Sequence, residues 1–279
     1  MSRNSPEWVR ERLGRAVTLI AAAPESGRWM MLGLPTGIRV CLFDLDGVLT
    51  DTAAVHAAAW KAMFDEFLRA YSAQQGIPFT PFDARAEYDA FVDGKPRVDG
   101  VRDFLASRGI TLPEGTPNDP PSTTTVNGLG NRKNEAVQHR IRTVGVHVFE
   151  GSRQYLQAAE RVGLRRAVVS SSANTREVLD VTGLAPYIEE VVDGVTIRTE
   201  GLRGKPAPDT FLAAARRFGV EPTEAAVFED ALAGVAAGRA GAFGLVVGVD
   251  RVGQADELKS HGADVVVRDL AELLEGEQR

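Results

Sequence analysis

The chain has 279 residues, 44% of them hydrophobic and 25% charged, which suffices for one large core with a smaller insertion and excludes global disorder. With 32 Lys and Arg against 38 Asp and Glu, the formal charge of −6 gives no long-range attraction for nucleic acid or an anionic membrane, so anionic ligands must be captured by local groups. A single cysteine, Cys41, excludes an internal disulfide and fits a reducing compartment.

In chain order, residues 1–38 read as an N-terminal extension that closes on the Gly33, Pro35 and Gly37 cluster. Residues 15–23 imitate an export signal. Glu7 and Glu11 break the basic flank, however, and the run is too short to span a bilayer, so it reads as an amphipathic docking helix or loose arm, with a cytoplasmic location expected. Residues 38–44 form an apolar strand, with Cys41 buried in it, that ends in acids and glycine. Helical spacing of Val55, Ala59, Met63, Phe64 and Phe67 predicts a helix over 53–71, and 134–142 is a second. The stretch 111–127 is rich in Pro, Thr, Ser and Asn and reads as a surface loop. Later, strands at 164–170, 225–230, 243–249 and 263–267 alternate with helices at 175–179, 210–218 and 231–240. The predicted fold is therefore α/β: a doubly wound, Rossmann-like parallel sheet in 39–53 and 146–279, with an α-helical cap inserted at 54–145.

Four strand ends carry chemistry. Phe43-Asp44-Leu45-Asp46-Gly47-Val48 sets two carboxylates two residues apart, on one side of an extended chain and roughly 6–7 Å from each other, so that one can attack while the other handles a proton. Val168-Val169-Ser170-Ser171-Ser172 ends in hydroxyls just before Asn174 and Glu177, which read as an N-cap and N3 pair. Ser170 and free backbone N–H groups can thus receive a phosphate at a helix start. Gly204-Lys205-Pro206-Ala207-Pro208-Asp209 sets a lysine among prolines at a helix entrance, as a fixed point charge for phosphate. Val227-Phe228-Glu229-Asp230 ends in adjacent acids whose repulsion a hard cation relieves, with Mg²⁺ the natural candidate. Singly, these fragments have ordinary explanations: an Asp-Gly turn, helix capping, an exposed lysine and solvated acids. Jointly, they lie where the ligand crevice of an open α/β sheet forms.

In this order, Asp44-x-Asp46, Ser170, Lys205 and Glu229-Asp230 resemble the haloacid dehalogenase (HAD) superfamily of phosphotransferases over about residues 39–275. Residues 43–52, followed by His56 and Trp60, and residues 204–209 look most like its β-phosphoglucomutase group. The resemblance implies that Asp44 is a nucleophile forming an aspartyl-phosphate and Asp46 the general acid/base. It also implies Mg²⁺ on the Asp44 carboxylate, the Asp46 carbonyl and the Glu229-Asp230 pair, with Ser170 and Lys205 holding the transferring phosphoryl group. Among substrate-contacting positions it implies Thr52 at the hinge, His56 and Trp60 on the first cap helix, and Arg97 in a cap loop gripping a distal phosphate. Lys133 and Asn134 would face the sugar, and Ser172 and Asn174 would line the entrance.

The implied reaction converts β-glucose 1-phosphate to glucose 6-phosphate through a bound sugar bisphosphate. A sugar-phosphate phosphatase is the alternative, and intact Asp44, Asp46, Lys205 and Asp230 argue against a regulator without turnover. The expected partners are a small-molecule sugar phosphate and its bisphosphate, with no nucleic acid or membrane and the chain acting as a monomer. The Pro/Thr-rich insertion and Lys95-Pro96 before Arg97 depart from the compact group pattern, so substrate identity is what the resemblance fixes least.

Overall fold

The computed structural model describes residues 32–274. The helix expected at 15–23 lies outside the described residues. A fully parallel sheet in the order β3-β2-β1-β4-β5-β6 forms the frame. Its strands are β1 (Val40–Phe43), β2 (Arg165–Val169), β3 (Glu190–Val192), β4 (Ala225–Glu229), β5 (Leu245–Val249) and β6 (Val265–Val267).

Side chains alternate across a strand, so Cys41 and Phe43 enter one apolar cluster while Val40 and Leu42 enter another on the opposite face. Helices must therefore cover both faces. The first cluster takes Tyr155, Leu156 and Ala159 of a helix Glu150–Arg161, and the second takes Phe211, Ala214 and Ala215 of a helix Asp209–Phe218. Phe43 stacks on Phe228 at 4.5 Å with Tyr155 at the edge, and burying each such ring contributes about 1.5–3 kcal/mol.

Between β1 and β2 the chain builds a helical lobe from α1 (Ala53–Gln75), a π-helical turn (Tyr88–Val92), α2 (Arg97–Ser107) and α3 (Val126–Val144). Trp60, Phe64, Phe67 and Leu68 recur at three- and four-residue steps along α1 and pack with Phe82, Phe104 and Leu129 into a separate cluster. Ala59, Val137 and Ile141 join the sheet-side cluster instead, so α1 and α3 reach from the lobe to the sheet. Helix α4 (Glu150–Arg161) leads into β2, and after β2 come α5 (Thr175–Val181), α6 (Gly194–Glu200), α7 (Asp209–Phe218), α8 (Leu232–Ala240) and α9 (Ala255–His261). Among the described residues no helix is long and apolar enough to cross a membrane.

Several expectations need correction. Residues 32–38, grouped with the leader, belong to the core: Leu32, Leu34 and Ile38 are buried, and the Tyr155 hydroxyl donates to the Leu32 carbonyl at 2.9 Å. Strand β3 was not expected, because only three residues long and flanked by Glu189 and Glu190 it lacks an apolar run. Those acids instead pair with Arg165 and Arg217 on neighbouring elements. Arg97 opens helix α2 with Pro96 as its N-cap, rather than sitting in a loop. The surface loop stops at Thr125, whose hydroxyl caps α3, so Asn127 is helical and buried.

Candidate active site

Phe43 lies in register with Val168 on one side and Phe228 on the other. The next residues along the three strands are Asp44, Val169 and Glu229. Lys205 joins them at one level: its ammonium donates to Asp44 Oδ1 at 2.5 Å, to the Val169 carbonyl at 3.0 Å and to Glu229 Oε1. An ammonium has three protons, so Lys205 is fully committed and its charge reaches the cavity through Asp44. Phe211 lies 5.0 Å below it. The ladder bonds Asp44 N–H to Phe228 O (2.9 Å) and Ser170 N–H to Val192 O (2.9 Å) hold both residues at the strand ends.

After Asp44 the chain turns tightly. Gly47 (φ +86°) donates to Thr50 O at 2.7 Å, and a Cβ there would stand 1.7 Å from Asp230 Oδ2, so only glycine lets that carboxylate lie against the turn. Thr52 is wholly buried and its hydroxyl donates to Asp46 Oδ1. It thus stands behind Asp46 and orients it, correcting its expected place against substrate. His56 Nε2 lies 3.8 Å from the same oxygen, and His56 Nδ1 is 3.0 Å from Lys133 Nζ. Burial, with Lys133 adding to it, holds the His56 imidazole well below its usual pKa. With Lys133 as an ammonium, which can only donate, the neutral ring would accept at Nδ1 and carry its hydrogen on Nε2, toward Asp46.

A cavity of about 360 Å³, within the roughly 300–1,000 Å³ of small-molecule pockets, opens above these residues. Of the expected set, Asp44, Asp46, Ser170, Asp230, His56, Trp60, Arg97, Lys133, Asn134, Ser172 and Asn174 line it. Thr52, Lys205 and Glu229 lie behind its wall. The lobe sits on the strand-end loops: Ser171 Oγ donates to Gly94 O at 2.7 Å, and Asn174 Nδ2 donates to Asn134 Oδ1 at 3.1 Å. Asn174 is the N-cap of α5, but its side chain makes no cap bond and spans to α3, while Glu177 pairs with Arg142 at 2.9 Å. The expected Asn174–Glu177 capping pair is thus replaced by contacts between lobe and sheet.

The electrostatics are lopsided. Burial pushes Asp44 up to about 6, against the pull of Lys205, and pushes Glu229 up to about 7. Asp93, on the lobe beside Tyr88, also rises to about 7, through burial and then the charge of Glu229. Asp46 is raised by burial, and Asp230 is raised well above its usual range by burial and then by Asp93 and Glu229. Asp230 has no side-chain hydrogen bond or ion pair among the described residues. Among those residues no three His, Cys, Asp or Glu side chains converge in finished ligand geometry, since Glu229 faces Lys205 and the Ala231 N–H (3.0 Å). An all-oxygen, buried donor set with excess negative charge is nonetheless the kind a small hard divalent cation fits.

The sequence matches the haloacid dehalogenase-like hydrolase family over residues 38–241. The chain belongs to that family. It is 59% identical over 250 residues to a β-phosphoglucomutase of Mycobacterium tuberculosis (strain CDC 1551 / Oshkosh), covering 88% of this chain and 95% of that one. A β-phosphoglucomutase of Bacillus subtilis (strain 168) is 30% identical over 238 residues, covering 85% and 92%. In fold, the crystal structure of β-phosphoglucomutase from Clostridium difficile superposes with a TM-score of 0.65 at 24% identity, over 85% of this chain and 93% of that one.

Within this haloacid dehalogenase-like frame, Asp93, Tyr88 and Arg198 also line the cavity and were missed in the sequence. Asp93-Gly94 precedes a helix rather than ending an apolar strand, so no strand-end pattern marks it. Arg198 follows Asp193, whose carboxylate caps α6 by accepting from Val195 N–H (3.1 Å) and Thr196 N–H (2.8 Å). Asp193-Gly194 would have been a fifth strand-end signal had β3 been recognised.

Proposed function

We propose that the chain is a β-phosphoglucomutase that interconverts β-glucose 1-phosphate and glucose 6-phosphate through an aspartyl-phosphate. The activity of its relatives supports this reading. The observation that carries it is one cavity with nucleophile and acids at the strand ends and cations on the facing wall.

Asp44 keeps Oδ1 on Lys205, and its other oxygen attacks phosphorus. An O–P bond forms to Asp44, the P–O bond to the donor oxygen breaks, and Asp46 gives that oxygen a proton. In the other half, the free hydroxyl of a sugar monophosphate, at the end opposite its phosphate, attacks the aspartyl-phosphate, passes its proton to Asp46 and frees Asp44, so that a sugar bisphosphate forms; turned end for end, that bisphosphate gives its other phosphate to Asp44 and leaves as the isomeric monophosphate. Such transfer depends on alignment and charge stabilisation. Burial raises the Asp46 carboxyl above its usual value, and Thr52 fixes its direction, which suits a group that both gives and takes a proton. Ser170, with its Oγ accepting from the Ser172 N–H at 3.1 Å, would hold phosphoryl oxygens. Asp44, the Asp46 carbonyl, Asp230 and, once turned from Lys205, Glu229 would hold Mg²⁺, which supplies positive charge against the phosphoryl group.

In this reading residues 54–145 act as a cap that excludes water, with His56, Trp60, Lys133 and Asn134 facing the sugar. The chain works as a cytoplasmic monomer on small molecules. Incubation with β-glucose 1-phosphate, Mg²⁺ and a sugar bisphosphate primer is expected to yield glucose 6-phosphate. Release of free phosphate without glucose 6-phosphate would replace the mutase with a phosphatase, in which water takes the place of the sugar hydroxyl.

A further inference from the structure

Two guanidinium groups, one from the lobe and one from the sheet side, line the cavity close to each other without a carboxylate among the described residues to neutralise them. Arg97 comes from the lobe. Its stem packs on α3, where a Cβ added to Gly130 would stand 3.5 Å from Arg97 Cγ, and its NH2 donates to Asn131 Oδ1 at 2.9 Å. The Asn131 amide donates in turn to the carbonyls of Pro117 (3.1 Å) and Asp119 (2.8 Å), so the acceptor facing Arg97 is fixed. Arg97 Nε is nevertheless buried with no partner.

Arg198 comes from the sheet side. Its helix is pressed onto the serine-rich loop, since Gly194 N–H donates to Ser172 O at 2.9 Å and a Cβ on Gly194 would meet Ser171 O at 2.7 Å. Among the described residues Arg198 has no hydrogen bond or ion pair, although it lines the same cavity as Arg97. The charges nearest this wall are already engaged: Asp99 with Arg102 (2.7 Å) and Lys95 with Asp103 (2.7 Å). Arg97 lies below its usual pKa through burial first and the neighbouring Arg198 charge second, as expected of two cations close together. Planar guanidinium forks bind the oxygens of a phosphate in pairs, and an anion there would relieve both the repulsion and the unpaired Nε.

We propose that Arg198 is a substrate-binding residue, the second arm of a clamp that holds the distal phosphate of the sugar phosphate between Arg97 of the lobe and α6 of the sheet side. This assignment rests on the sugar-phosphate reading above and goes beyond it in making the distal phosphate a tie between lobe and sheet. A substrate without that phosphate would make neither contact.

The test compares two phosphoryl donors on the full chain: glucose 1,6-bisphosphate, and acetyl phosphate, which ends in a methyl group. Loss of one charge-assisted contact in Arg198→Ala is expected to lower kcat/KM for the bisphosphate about tenfold, mainly through KM. For acetyl phosphate the same variant is expected to lose no more than about twofold, and Arg198→Lys is expected to recover part of the bisphosphate loss. Equal losses on both donors, or none on either, would overturn the clamp. The two readings fail separately. A wild-type chain that makes no glucose 6-phosphate overturns the mutase, whereas the clamp falls if Arg198→Ala leaves bisphosphate competition against acetyl phosphate hydrolysis unchanged.

Discussion

The two ends of the cavity lack opposite charges. At the strand ends, Lys205 pairs with Asp44 and Glu229 alone among the described residues, and burial first, with the charge of neighbouring acids, pushes Asp44, Asp46, Glu229 and Asp230 upward. On the lobe side the surplus is cationic: Lys133 is driven down to about 7 by burial, and Arg97 has a buried nitrogen without an acceptor. In the proposed mechanism a divalent cation would complete one end and a phosphate the other. The strand-end groups are moreover fixed by backbone ladders, whereas the lobe groups hang on helices that reach the sheet through Ala59, Val137 and Ile141 and a few polar contacts. On that proposal the sheet would set the chemistry and the lobe the recognition.

The sharpest way to break this division is to remove the nucleophile while leaving its surroundings. Asp44→Asn keeps the size of the side chain and one acceptor for Lys205, so the fold should persist while mutase turnover drops by about 10³-fold or more. Turnover within tenfold of wild type would show that another group attacks phosphorus. Next in size is Lys205→Met. Removing the cation from a buried cluster leaves Asp44 and Glu229 facing each other uncompensated, and breaking such a pair costs about 3–5 kcal/mol. Chemical denaturation at pH 7.5 should show that loss; a loss under 1 kcal/mol would mean that the two acids are neutral in the resting protein.

The strand-end half was legible because its residues sit at positions that local patterns reveal. Apolar runs end in Asp44, Ser170 and Glu229, and parallel register then brings such ends to one level without any information from the side chains. The lobe half was less legible. Arg97 and Asn131 are 34 residues apart and meet only through α2 and α3 packing, and Arg198 depends on an edge strand too short and acidic to read. Thr52 was found but given the wrong neighbour, since sequence places it near Asp46 without saying whether it stands in front of or behind it.

The charge deficit at the strand ends makes a third test. A carboxyl whose folded pKa is raised favours the fold below its unfolded pKa and loses that contribution as pH rises through the folded value. Cation binding needs the deprotonated forms, so the gain in Tm from Mg²⁺ should grow between about pH 5 and pH 8, across the values of about 6 for Asp44 and about 7 for Glu229. Asp230→Asn removes a buried acid whose ionisation the fold opposes, so the metal-free Tm at pH 7.5 should rise and the Mg²⁺ gain should vanish. An undiminished gain in that variant would move the cation elsewhere.

On the lobe side, Lys133 has the opposite sign. Its folded pKa of about 7 lies below the ordinary 10.5, so the cost of burying the ammonium is full below pH 7 and is relieved as pH rises toward 10.5. Lys133→Met should therefore raise Tm more at pH 6 than at pH 9, while weakening sugar-phosphate binding at both. A stabilisation independent of pH would mean that the gain comes from packing against Trp60, whose ring lies 4.8 Å from the ammonium.

The smallest effect separates fixing a cation from supplying one. Asn131 does not line the cavity; it holds Arg97 by one hydrogen bond while its own amide is tied to the Pro/Thr-rich loop. Asn131→Ala frees the guanidinium to rotate and removes both loop bonds, and a net hydrogen bond is worth about 0.5–1.5 kcal/mol. KM for β-glucose 1-phosphate should thus rise about two- to tenfold with kcat nearly unchanged, because the strand-end groups are untouched. Asn131→Asp restores the acceptor but adds a charge that competes with phosphate for Arg97, so it should raise KM further than alanine does. If aspartate instead restored KM, orientation alone would be what Arg97 requires, and the unpaired charge at that wall would not be what attracts the distal phosphate.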